Sequence, residues 1–549
     1  MKTSTRNTIA VALLVSAFSL QPLAVLAGGP LTPPAAPGVT MKSLQEMEPR
    51  TLIASVPYTI SAPGSYYLSN NLTVTTGNAI TIAASGVTLD LNGFTLSSTA
   101  ASATGTAISI GSVEDVTILN GHIMGGVTES AGVFTGPGFA YGIYGGNDNI
   151  KVTHVTVSGV LYYGIEIPYG SSVVSDCSVM TAGSYGIVGG AVESCSASDC
   201  GSYAIYASQV SDSYGNSVNG GYGILGTTVI NSYGYAYDNT GNYGTGINAT
   251  VAQNCYGYGY SEGIYASTAN NCSGYSTTTN SDGLIAYDAN NCYGYGGYAG
   301  VYCYGTASGC YGYTYYGYGV YADTANNCYG YSYIYNGTTT SYAGIFATVA
   351  NNCHGYSTVS SYNNYGIQAD AANNCEGYGY YGYGVYVTPG TAENCVGYST
   401  NSFGINASVA NNCYGRSLNS YGMYATTANN CYGYSQASDG MDAINANNCY
   451  GYTAAGYYGF YAAVANNCYG YVSGGGTGGY GLYAYNSANN CVGINYRSGG
   501  YGVYAYPLAI GCYGYSTGTS SVGVYAYIAN CCYGVGATTA SYTYHYNMP

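Results

Sequence analysis

The sequence predicts an all-β solenoid, a rod of parallel strands in which each coil lies on the one before it. Two observations carry that prediction. The phrase Ala-Asn-Asn-Cys-Tyr-Gly-Tyr-Ser, intact at Ala428 to Ser435, returns in variants from Cys177 to Cys532. A repeat of roughly twenty residues that cannot bury its own apolar face must stack on copies of itself. The second observation is period-two alternation within each copy. A companion phrase, Tyr-Gly-Ile-Tyr-Ala (Tyr421 to Ala425, with Met423), precedes the cysteine, and its apolar positions alternate with tyrosine. That alternation sends Met423 and Ala425 to one face and Tyr424 to the other.

The chain opens with Lys2 and Arg6, then the apolar run Ile9 to Leu20 and the small-residue stretch Val25-Leu26-Ala27. This is the pattern of a secretory signal peptide over 1-27, cut near Ala27. The run is too short for a good membrane span, and no transmembrane span is expected elsewhere. The mature chain is therefore expected outside the cell, secreted or at the cell surface. Residues 28-56 read as a Pro/Gly/Ala-rich linker and an N-terminal cap, with a short helix expected over Met41 to Ser55.

Residues 57-160 read as irregular N-terminal coils. Tyr58 to Ile60, Ser65 to Leu68, Ala79 to Ile82, Gly86 to Gly93, Val113 to Ile123 and Asn149 to Val157 all alternate as half-buried strands do. The regular Cys/Tyr/Gly array occupies 161-535, with an end strand or cap over 536-549. Within the array Cys431, Gly433 and Ser435 alternate with Tyr432 and Tyr434. Small side chains are thus expected inside and tyrosines outside. The asparagine pair before each cysteine falls where the chain turns, and its amides are expected to bond from coil to coil.

The runs GVTLDLNGFTL (Gly86 to Leu96), VEDVTILNGHI (Val113 to Ile123) and NDNIKVTHVTVSG (Asn147 to Gly159) resemble coils of the right-handed parallel β-helix family, the pectate-lyase-like fold. The entry YTISAPGSYYLSNNLTV (Tyr58 to Val74) is similar to secreted bacterial members without assigned activity. The resemblance covers about Pro57 to Cys532. It implies a right-handed parallel β-helix of about 22 coils, a rod on the order of 100 Å long. It does not by itself imply an activity, because one fold hosts many.

Composition narrows the function. Charged residues are only 5% of the chain, and the formal net charge is −15. No lysine follows Lys151, and Arg416 and Arg497 are the only later basic residues apart from histidine. Phosphate neutralisation has almost nothing to work with, so no nucleic-acid partner is expected. The family's catalytic arrangements need grouped acids with a base, and no such constellation stands out. The acids are scattered and His122, His154, His354 and His545 are isolated in sequence. No catalytic residue is carried over. The closest acidic grouping is Asp176, Glu193 and Asp212, at the asparagine corner of three successive coils; it makes calcium a candidate ligand. Otherwise no cofactor is expected.

Two columns remain. The cysteines repeat at the coil spacing rather than as a disulfide framework, and Ser213 and Ser232 interrupt them. Free core thiols, some bridges, and a metal or redox role stay open, with the spacing favouring the first. The outward tyrosines Tyr311, Tyr329, Tyr414, Tyr432, Tyr434, Tyr450, Tyr452, Tyr469 and Tyr471 read as a flat aromatic sheet rimmed by hydroxyls. Such a sheet suits strand packing, and equally a surface for sugar rings or another rod. The leading expectation is a secreted, non-enzymatic matrix or adhesion rod, binding extracellular polysaccharide or self-associating through these ladders. The alternative is a polysaccharide lyase or hydrolase whose site lies between Asp90 and Glu193, where Lys151, His122 and His154 are concentrated.

Overall fold

The architecture follows from which side chains a narrow coil can hold. The computed structural model describes residues 48–167, 170–237, 243–333, 342–358 and 364–548. The expected signal peptide over 1-27 and most of the expected linker and cap lie outside them. From Arg50 onward the chain forms one unit. It is an all-β solenoid of about 23 parallel turns, one more than the repeat count suggests, with no helix among the described residues. The strand Thr51–Ile53 pairs in parallel with Tyr66, Tyr67 and Leu68. The expected helix over Met41 to Ser55 is therefore corrected where it is described: its alternating apolar positions join the first coil instead.

One turn shows the plan. The strand Tyr318–Asn326 carries two faces, bending near the exposed Asp323, and Tyr329–Ser332 forms the third. In the preceding turn the same bend separates Ala299–Cys303 from Thr306–Ser308. Successive turns pair in register, Val320 with Ile345, Asn326 with Asn351, and Tyr329 with His354. Face one buries Val320 and Ala322, face two Ala325, and face three Gly330 and Ser332, with Cys328 at the corner between two and three. The interior is so thin that faces one and three meet backbone to backbone. A Cβ on Gly319 would overlap the amide of Tyr331, and one on Gly330 the carbonyl oxygen of Gly344. Those two glycine columns are thus steric necessities.

The corner between faces two and three is the most regular feature. Its second asparagine sits in the left-handed region, with φ 52° at Asn327 and 55° at Asn430. Asparagine is among the few non-glycine residues that tolerate this region, and Gly309 and Gly511 occupy the same place with φ 62° and 60°. The expected amide ladders form: Asn429 donates to Asn411 and Asn447 to Asn429, each at 2.9 Å, and Asn448 donates to Asn430 at 3.2 Å.

All 20 cysteines are free thiols, and only Cys531 is exposed. The Cys431 thiol donates to the carbonyls of Asn429 and Ala410 at 3.2 and 3.3 Å, so the sulfur is tied to its own corner and to the coil before. Of the three off-column cysteines, Cys303 lies in the inward alanine column beside Ala286. Cys200 falls in the inward serine column, between Ala182 and Ser217. Cys531 takes the left-handed asparagine position, φ 53°.

Candidate functional site

A long open concavity follows directly from that corner. Where the left-handed column meets the first outward column of face three, it runs over about seven turns, from Thr156 to Ser273. Ser178 and Ser196 stand where later turns carry tyrosine, since Ser178 pairs with Ser196 and Ser196 with Tyr214. The result is an open groove of about 1010 Å³ along the strand-stacking direction. Its length is roughly 30 Å at the spacing of stacked strands. Asp176, Asp212, Asn231 and Asn254 line one side, and Tyr214, Tyr233 and Tyr256 the other.

Asp176 and Asp212 both take the left-handed position, φ 53° and 49°, with Ser194 (φ 51°) in the turn between them. Glu193 belongs to the neighbouring column, in register with Ser175 and Ser211. The three acids thus share a corner without converging. Asp212 instead accepts from the Asn231 amide at 3.1 Å, and Asp176 lies 3.9 Å from Nε2 of His154. Among the described residues no three His, Cys, Asp or Glu side chains are grouped so as to hold a metal ion. His154 is itself left-handed (φ 53°), one turn before Asp176 in that column, and His122 bonds Thr156 at 2.7 Å. Both histidines therefore stand at the groove's N-terminal end. Asp90 is held elsewhere in a structural pair, its carboxylate accepting from Arg50 at 2.9 Å.

The tyrosines assemble as ladders, but their geometry differs from a flat aromatic sheet. Tyr311 and Tyr329 stack with centroids 4.9 Å apart and planes 7° apart. Tyr414, Tyr432, Tyr450 and Tyr469 continue at 5.1, 4.8 and 4.8 Å, and Tyr434, Tyr452 and Tyr471 at 5.1 Å. Each ring spends its faces on its neighbours. Ring edges and hydroxyls point outward, because rings on strands this close are nearest to ideal stacking distance when they lie face to face. Burial and the adjacent phenols push Tyr256 up to about 12.

Face one holds a second aromatic ladder that the repeat phrase signals through its own tyrosines. Tyr461, Tyr483, Tyr504 and Tyr525 stack at 5.2, 4.8 and 4.6 Å. Acids interrupt this face at Glu166, at Glu262 with Asp282, and at Asp442, and strand register brings Glu262 and Asp282 together although they look scattered in sequence. Glu262 pairs in register with Asp282. Burial, with the neighbouring Glu262 charge, pushes Asp282 up to about 7, and its Oδ1 is buried without a hydrogen-bond partner. Asp442 rises to about 6 through burial and the nearby Asp439.

Arg497 is buried and donates to the carbonyls of Gly474 and Ala455, a structural role. Arg416 is exposed and lies 5.4 Å from the centroid of the Tyr434 ring. No helix among the described residues is long and apolar enough to cross a membrane. No protein-family model, curated protein or solved structure matches the chain.

Proposed function

We propose that this chain is an exported, non-enzymatic matrix rod that holds an extended polysaccharide along the Thr156–Ser273 groove. The observation that carries the reading is the groove itself. It runs parallel to the stacking direction and is lined by hydroxyls, amides and two carboxylates, with a wall of phenol edges. A chain of sugar rings repeats hydroxyls along its length, and the groove repeats donors and acceptors once per turn. Many weak contacts in series then hold a long ligand without a deep pocket. The basic-apolar leader supports export. Lateral association of rods through ladder hydroxyls is the other form of the reading.

The test is depletion of the purified mature protein by a panel of soluble and insoluble polysaccharides, with released sugar assayed in the same tubes. Binding without release, weakened at least tenfold when Tyr214, Tyr233 and Tyr256 become serine, is the expected result. Loss of soluble protein without any glycan indicates rod-to-rod association instead. If neither occurs, the reading fails.

One observation favours a second reading, polysaccharide cleavage. His154 and Asp176 stand 3.9 Å apart at the end of the groove that also holds His122. A general acid and base must share reach of one bond, and this end of the groove has the residue types. Released oligosaccharide that disappears in Asp176→Asn and His154→Gln would establish it.

A further inference from the structure

One interruption in the ladders of face three places an imidazole beside a carboxylate. In the first outward column Tyr293, Tyr311 and Tyr329 stack at 5.4 and 4.9 Å. The register then passes through His354, Glu376 and Val396 before stacking resumes from Tyr414 to Tyr432. The neighbouring column is unbroken there. Tyr313, Tyr331, Tyr356 and Tyr378 continue at 5.1, 4.9 and 4.7 Å. A gap in one column beside an intact second column makes a notch. Its volume is about 180 Å³, and Tyr329, His354, Gly355, Tyr356, Glu376 and Tyr378 line it.

Two features distinguish the notch from the rest of the ladder. Tyr329 ends its stack, so its ring keeps one face that no other ring covers, whereas rings inside a stack have none to offer. Nδ1 of His354 and Oε2 of Glu376 lie 3.3 Å apart, with their side chains 59% and 51% exposed, so both remain available to a ligand. A half-apolar ring with polar groups at its rim fits such a place. Its C–H face lies on the phenol, while its hydroxyls donate to the carboxylate and exchange hydrogen bonds with the imidazole.

We propose that the His354–Glu376 notch is a binding site for a single pyranose unit, distinct from the groove and independent of it. The ring face of Tyr329 takes the sugar's C–H face, and Glu376 accepts from two adjacent hydroxyls. The stacked interior of the ladder lacks both an open ring face and a carboxylate, so the site is local rather than repeated.

Saturation-transfer NMR on the full mature chain tests this, with glucose, galactose and mannose as probes and phenol as the competing planar ring. Transfer to ring C–H protons of at least one sugar is expected. It should fall at least fivefold in Glu376→Gln and in Tyr329→Ser, and remain in the groove variant Asp176→Asn. Circular dichroism identifies any variant that has lost the fold; for those, competition by a Tyr329→Leu chain gives the same readout. No sugar signal, a signal unchanged in both notch variants, or preference for phenol overturns the proposal. Loss of polysaccharide depletion with the notch signal intact counts against the groove alone.

Discussion

Asp282 shows how one side chain records its surroundings. Strand pairing sets it beside Glu262, and its carboxyl rises from the usual range to about 7 through burial first and that neighbouring charge second. A carboxyl whose folded pKa is raised binds more protons folded than unfolded. Its contribution to stability is therefore complete below the unfolded value, near pH 4, and is lost as pH rises through about 7. The loss is on the order of 4 kcal/mol, at about 1.4 kcal/mol per pKa unit. Melting temperature is expected to fall between pH 4 and 7.5 more steeply in the native sequence than in Asp282→Asn. The variant should also be the more stable of the two at pH 7.5. Parallel pH profiles would rule out this origin.

At the scale of the strand, glycine and asparagine columns do different work. The second asparagine secures the left-handed corner, as Asn430 does, and the amides of both columns bond to the preceding turn, as Asn429 does to Asn411 and Asn430 to Asn412. Glycine lets two faces touch. Because a Cβ on Gly330 meets a backbone carbonyl rather than a flexible side chain, no rotamer change relieves it. Gly330→Ala is expected to open the turns around Tyr318–Ser332, giving new protease cuts there while distant turns stay protected, since repeat arrays transmit disruption mainly to neighbours. A cleavage pattern identical to the native chain would show that the faces can separate at little cost. These columns are legible in the sequence because a fixed corner and a thin core demand particular residues at every turn. The acid pairs are not legible, because Glu262 and Asp282 meet only through a register set by the intervening loop.

Over the whole molecule, the cysteines follow the logic of the rod. Stacked parallel strands place their Cβ vectors side by side, which disfavours the disulfide dihedral, and column thiols such as Cys431 are instead bound to carbonyls of their own corner and of the previous coil. Burial pushes the Cys200 and Cys303 thiols up, which suppresses the reactive thiolate. Titration with a thiol reagent is expected to label one cysteine, Cys531, in the native protein and all 20 after denaturation. Fewer than 20 in the denatured chain under non-reducing conditions would reveal bridges.

Even without coordinates, the chain settles that strands coil in parallel, which side chains turn inward, and where the corner asparagines fall. These depend on local alternation and on a period repeated along the whole array. The tertiary structure decided what the outward residues do. Tyrosines that read as an open aromatic sheet instead close on each other face to face, leaving hydroxyl edges outside and a free ring face at Tyr329. Asp176 and His154 came to share a groove end, and His354 came to rest beside Glu376. Each of these depends on which residue lies one turn away in space. Loops of varying length set that distance in sequence, so only the stacking of the turns reveals it.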